Sequence, residues 1–121
     1  VRFTNQVQFY DVKNTGAAIR YSEAYQPMNG TNANFVEKLD DQTLFVRTYE
    51  RGVEDETLAC GTGVTAVAIA ANKTNRTAEE KIFIEVLGGN LEVSFKKEND
   101  CYKNVFLKGP AQFVFEGNII V

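Results

Sequence analysis

Thr57-Leu58-Ala59-Cys60-Gly61-Thr62-Gly63-Val64-Thr65-Ala66-Val67-Ala68-Ile69-Ala70-Ala71-Asn72 is the stretch on which the fold turns. The residues from Thr62 to about Asn72 predict a helix. Val64, Ala66, Val67, Ala68, Ile69, Ala70 and Ala71 leave it almost no polar face. A helix apolar all round belongs in a core rather than on a surface. The remaining chain must therefore supply the wall around it.

Working outward, strands dominate. Asn34-Phe35-Val36-Glu37-Lys38-Leu39 and Thr43-Leu44-Phe45-Val46-Arg47-Thr48-Tyr49 read as a hairpin turned by Asp40-Asp41-Gln42. Arg51 to about Ala59 reads as a loop. Beyond the helix, Lys81–Val86 runs into a Gly88-Gly89 hairpin turn and returns through Asn90–Phe95. Asn104–Leu107 and Gln112–Phe115 read as two more strands, split by Gly109-Pro110. Near the start, Asp11 to Arg20 reads as a short helix with Asp11 as N-cap, weakened by Gly16. The expectation is one α+β domain over residues 1–121, a strongly curved, mostly antiparallel sheet around one buried helix.

Composition excludes several classes of function. The net charge is −3 and no basic patch points to nucleic acid. No apolar run reaches the length of a membrane span. The chain has no histidine, which rules out a Ser-His-Asp triad, a Cys-His pair or a His-ligated metal within it. Two cysteines, Cys60 and Cys101, are too few for a disulfide framework. The chain opens on Val1 inside a strand-like run, and the expectation is a piece cut from a longer protein.

The chemistry gathers at Cys60. A thiol at a helix N-terminus sits among unpaired N–H groups and a partial positive charge, and both favour a thiolate. The amides of Gly61, Thr62 and Gly63 can cradle a carboxylate or phosphate, and the glycines let a ligand approach the backbone. No Lys follows the second glycine and no third glycine is present, so this is neither a P-loop nor a dinucleotide fingerprint. Lone cysteines are most often small buried hydrophobes, and a Glu50-Arg51 pair is most often solvated. The residues by themselves leave both readings open. Cys101, in the polar stretch around Glu98-Asn99-Asp100, reads as incidental.

Three runs carry a resemblance: Gly30-Thr31-Asn32-Ala33-Asn34-Phe35, Arg47-Thr48-Tyr49-Glu50-Arg51-Gly52-Val53, and Glu56-Thr57-Leu58-Ala59-Cys60-Gly61-Thr62-Gly63. In that order they resemble diaminopimelate epimerase, and Leu107–Ala111 with Phe113–Gly117 resembles that family's C-terminal end. Val53-Glu54-Asp55-Glu56 departs from the family's Val-Gly-Glu link by one extra residue. The resemblance implies a barrel-like domain that is the C-terminal half of a two-domain, cofactor-independent isomerase. Such an enzyme interconverts LL- and meso-diaminopimelate in the cytoplasm, for lysine and cell-wall synthesis. It implies that Cys60 is one of two acid–base thiols, the other lying on the N-terminal domain, the expected partner. It implies that Gly61 and Thr62 hold the α-carboxylate, that Glu50 meets the ammonium group with Arg51 beside it, and that Asn32 reads the far end of the substrate. A homodimer is compatible with this. Proline racemases and phenazine-pathway isomerases share the architecture, and a non-catalytic carboxylate-binding module is the alternative from another class.

Overall fold

The computed structural model describes residues 1–121. Strands and helices follow in the order β1 (Arg2–Phe3), α1 (Val12–Arg20), β2 (Ala33–Lys38), β3 (Thr43–Glu50), β4 (Asp55–Thr57), α2 (Gly61–Lys73), β5 (Lys81–Val86), β6 (Gly89–Glu98) and β7 (Cys101–Lys108). The strands form one sheet in the order β1-β2-β3-β5-β6-β7, with β4 paired to β3 off that path. Pairing is parallel for β1–β2 and β3–β5 and antiparallel elsewhere. The α+β architecture and mostly antiparallel sheet are as expected from the sequence.

One edge of β3 is shared between two partners. Thr43–Phe45 pairs with β5, and Thr48–Glu50 pairs with β4. A parallel neighbour needs a crossover, and α2 supplies it. The chain leaves β3 through β4, enters α2 at the β4 end of the sheet and returns to β5. That route puts Cys60, the residue before α2, at the end of β3 where Glu50 stands.

Over β2 and β3 both faces of the sheet are covered, while Lys81, Phe83 and Glu85 of β5 leave the reverse face open beyond them. Val64, Val67, Ala68 and Ala71 of α2 pack on Val36, Leu44, Val46, Ile82, Ile84, Val93 and Phe95. On the reverse face Val7 and Val12 pack with Ala33, Phe35 and Tyr49. The hairpin of β2 and β3 is therefore buried on both sides, which explains its near-continuous apolar run. Gly16, which weakens α1 as a helix, is required by this packing. A side-chain carbon there would collide with the Tyr49 ring. Asn72 ties down the far end of α2, accepting from Tyr102 Oη at 3.0 Å and donating to Glu79 O at 3.1 Å.

Details differ from the sequence reading. The run Gln112–Phe115 forms no strand, and Phe113, Val114 and Phe115 are exposed. A strand exists only where a neighbour accepts and donates along it, and β7 ends at Lys108 before the Gly109-Pro110 break. The face of α2 that carries Ala66 is open, with Ile69 and Ala70 half-buried. Its apolar character comes largely from alanine, which tolerates exposure better than Leu or Ile does. The loop after Arg51 contains strand β4, stapled to β3 by Glu56, whose carboxylate takes two bonds from Arg47 at 2.6 and 2.7 Å. Cys101 opens β7 and is an exposed free thiol. No helix is long and apolar enough to cross a membrane.

Candidate active site at the N-terminus of the long helix

Side chains alternate along a strand, and the alternation on β2 and β3 changes character toward one end. On the face toward α2 the β2 series reads Val36, Asn34, Asn32, and the β3 series reads Leu44, Val46, Thr48, Glu50. The register pairs Val36 with Val46 and Asn34 with Thr48. Beneath the body of α2 this face is apolar. Beneath its N-terminus the face is polar.

Cys60 is the N-cap of α2, with extended backbone, and its side chain caps nothing. The first helical hydrogen bond runs from Val64 N to Cys60 O at 2.9 Å. The amides of Gly61, Thr62 and Gly63 have no backbone carbonyl partner. Asp, Asn, Ser or Thr at this position would have satisfied one of them. The choice of cysteine leaves the helix end free for an outside acceptor.

Cys60 is buried, with 7% of the residue exposed. Asn32 Nδ2 donates to Sγ at 3.8 Å, and Thr62 Oγ1 lies 3.5 Å from Sγ. Asn32 Oδ1 accepts from the Arg51 amide at 2.8 Å. That bond sets which end of the Asn32 amide faces the sulfur: the donor end.

The structure therefore joins Cys60, Asn32, Thr62 and the Arg51 backbone in one hydrogen-bonded group, with Gly61 in the same helical turn. Glu50 is half-buried at the end of β3, and its carboxylate has no partner in the chain. Arg51 points elsewhere. Its exposed guanidinium lies 3.4 Å from the carbonyls of Met28 and Asn29.

Sequence reasoning passed over Asn34, Thr48 and Thr57. Thr48 Oγ1 donates to Asn34 Oδ1 at 2.8 Å, and both residues are buried. Thr57, opposite Thr48, has a buried hydroxyl with no partner. A signal was present: asparagine is depleted in strands, yet Asn34 sits inside one, two residues from Asn32.

The diaminopimelate epimerase family model matches residues 1–114. A diaminopimelate epimerase of Flavobacterium psychrophilum is 55% identical over 119 residues, covering 98% of this chain and 46% of that protein. One from Aquifex aeolicus is 43% identical over 114 residues, covering 93% of this chain and 39% of that protein. The chain thus spans less than half the length of these relatives. Among solved structures, a phenazine biosynthesis protein of the PhzF family from Enterococcus faecalis aligns with a TM-score of 0.53 at 23% identity, covering 72% of this chain and 29% of that one, a likeness of fold. With the motif residues gathered at one helix end and the family match running through nearly the whole chain, this chain belongs to the diaminopimelate epimerase family.

Proposed function

We propose that the chain is the C-terminal half of a cytoplasmic, cofactor-independent epimerase that interconverts LL- and meso-diaminopimelate, with Cys60 as one of its two acid–base thiols. The observation that carries this reading is the cysteine N-cap. It places a thiol and three unpaired amides at one helix end, with the unpartnered Glu50 carboxylate on the same face.

In this mechanism the amides of Gly61 and Thr62 hold the α-carboxylate, Glu50 takes the ammonium group, and Asn32 and Arg51 contact the substrate. The Cys60 thiolate removes the α-proton as the C–H electron pair moves onto the α-carbon and carboxylate. The helix end stabilises that charge at the carboxylate. A second group, outside this chain, delivers a proton to the opposite face. In the reverse direction the roles exchange and Cys60 gives its proton as a thiol, whereas another forward turnover needs Cys60 deprotonated again. Tyr49-Glu50-Arg51-Gly52 together with Ala59–Gly63 favours diaminopimelate over the substrates of other isomerases sharing the fold.

The test is proton exchange in D₂O. The full-length protein should convert LL- to meso-diaminopimelate with deuterium at the α-carbon, and its Cys60→Ala variant should fold but not turn over. Near-normal turnover by that variant would overturn the assignment.

A further inference from the structure

Within the Val53-Glu54-Asp55-Glu56 link, one side chain is tied down on several sides. Glu54 closes the β3–β4 turn, its amide bonded to Glu50 O at 2.8 Å. Its φ is 60°, a left-handed conformation unusual for a residue with a long side chain. The carboxylate turns back over its own loop. Oε1 accepts from the Gly52 amide at 3.0 Å and from Arg20 Nε and Nη2 at 3.2 and 3.1 Å, and Oε2 accepts from Tyr49 Oη at 3.2 Å.

Arg20, at the end of α1, reaches the other way as well. Its Nη1 donates to Asn29 O at 3.2 Å and packs against Gly30, where a side-chain carbon would push the guanidinium aside. Gly30 has a φ of 85°, which glycine accommodates. Arg20 and Glu54 thus join the segment entering Asn32 to the turn carrying Glu50 and Arg51. The same two segments meet at Asn32 Oδ1 and the Arg51 amide, one bond away from the Cys60 sulfur.

We propose that the Arg20–Glu54 pair is a positioning device for the substrate-binding edge, holding the Asn32 amide and the Arg51–Gly52 turn in the geometry that addresses substrate and thiol. The inference rests on the epimerase reading for its substrate. A partly buried ion pair is weak evidence for stability, because desolvation offsets the attraction. The two side chains are 15% and 32% exposed. What this pair does have is connectivity: four donors converge on one carboxylate, from α1, the end of β3 and the turn. The Gly52 amide first, with Tyr21, Arg20 and Tyr49, holds Glu54 ionised down to about pH 2.

The experiment uses the full-length protein with Glu54→Gln, Arg20→Met and the double variant, and as a comparison Thr77→Val, in the loop after α2, where the buried Thr77 hydroxyl donates to Asp41 O. Three quantities are read: Tm, KM and kcat for LL-diaminopimelate, and the alkylation rate of Cys60 at neutral pH, followed by peptide mass spectrometry. Each single variant should raise KM roughly ten-fold or more through the displaced edge and slow Cys60 alkylation. The double variant should be little worse than either single. Thr77→Val should lower Tm while leaving KM and alkylation unchanged. If Arg20 and Glu54 variants lower Tm as Thr77→Val does and leave KM and alkylation alone, the pair is merely structural and the proposal fails. Should Glu54→Gln not fold, Arg20→Lys, which keeps the charge but not the two-way reach, is judged by the same criteria. If the unaltered protein shows no epimerisation, the epimerase reading falls, and the alkylation rates still decide whether the pair positions Cys60.

Discussion

Asn34 Oδ1 stands 2.5 Å from where a side-chain carbon on Gly63 would lie, and the Cys60 sulfur stands 3.3 Å from the same point. Gly63 therefore lets the first turn of α2 settle onto the polar end of the sheet. Gly63→Ala should destabilise the fold by about 1–2 kcal/mol, overpacking at ~1–3 kcal/mol being partly offset by alanine's helix preference of up to ~1 kcal/mol. Denaturant midpoints measure this. Combining it with Asn34→Ala should cost less than the sum of the two single changes. An unchanged midpoint for Gly63→Ala alone would mean the helix end is not seated as described.

Arg47 is a second hub, on the face toward α1. Its Nη1 donates to the carbonyls of Val7, Gln8 and Tyr10 at 2.9 to 3.0 Å, while Nε and Nη2 hold Glu56. The hydrogen bond to Glu56 raises the guanidinium pKa further still. Arg47→Met should cost about 2–3 kcal/mol, somewhat under the ~3–5 kcal/mol of breaking a fully buried pair. Hydrogen exchange should show the amides of Tyr10 and Val12 losing protection first. Exchange rates unchanged at those amides would contradict this.

Stability should fall in acid with a recognisable contribution from one residue. Glu54 titrates at about 2 in the folded chain against an ordinary 4.5. A depressed carboxylate stabilises the fold above its unfolded pKa, and that stabilisation is lost as pH falls through the folded value. The window is therefore about pH 4.5 down to 2. Asp11, Asp40, Asp55 and Glu80 are lowered too, chiefly by hydrogen bonds, and act in the same sense. Glu54→Gln should leave a shallower slope in this window than the unaltered chain shows. Identical slopes would deny Glu54 its partners.

The 121-residue chain alone should not epimerise. Inversion needs acid–base groups on opposite faces of one carbon, and the site described holds only Cys60. Losing one such group costs ~10²–10⁴ in rate. Incubated with LL-diaminopimelate in D₂O, the chain should give no meso product. Cys101→Ala in the full-length enzyme should leave turnover unchanged. Meso product from the chain alone would show that a second base lies within it.

The sequence was sufficient for the architecture. Period-two runs and an apolar helix are local patterns, and they place β2, β3, β5 and α2 within a residue, while β6 runs three residues past its expected end, to Glu98. The short motifs around Asn32, Glu50 and Cys60 were legible as well, because each is a contiguous run of residues. What the sequence did not contain was adjacency. That Arg20 meets Glu54, that Asn32 presents its donor end to Cys60, and that α1 covers the second face of β2 and β3 depend on how the crossover through α2 seats one segment against another. The C-terminal run shows the limit from the other side. Gln112–Phe115 has the composition of a strand, but composition cannot provide an edge to pair with. Strand formation needs a partner's backbone groups, and whether one is in reach is decided only by the tertiary structure.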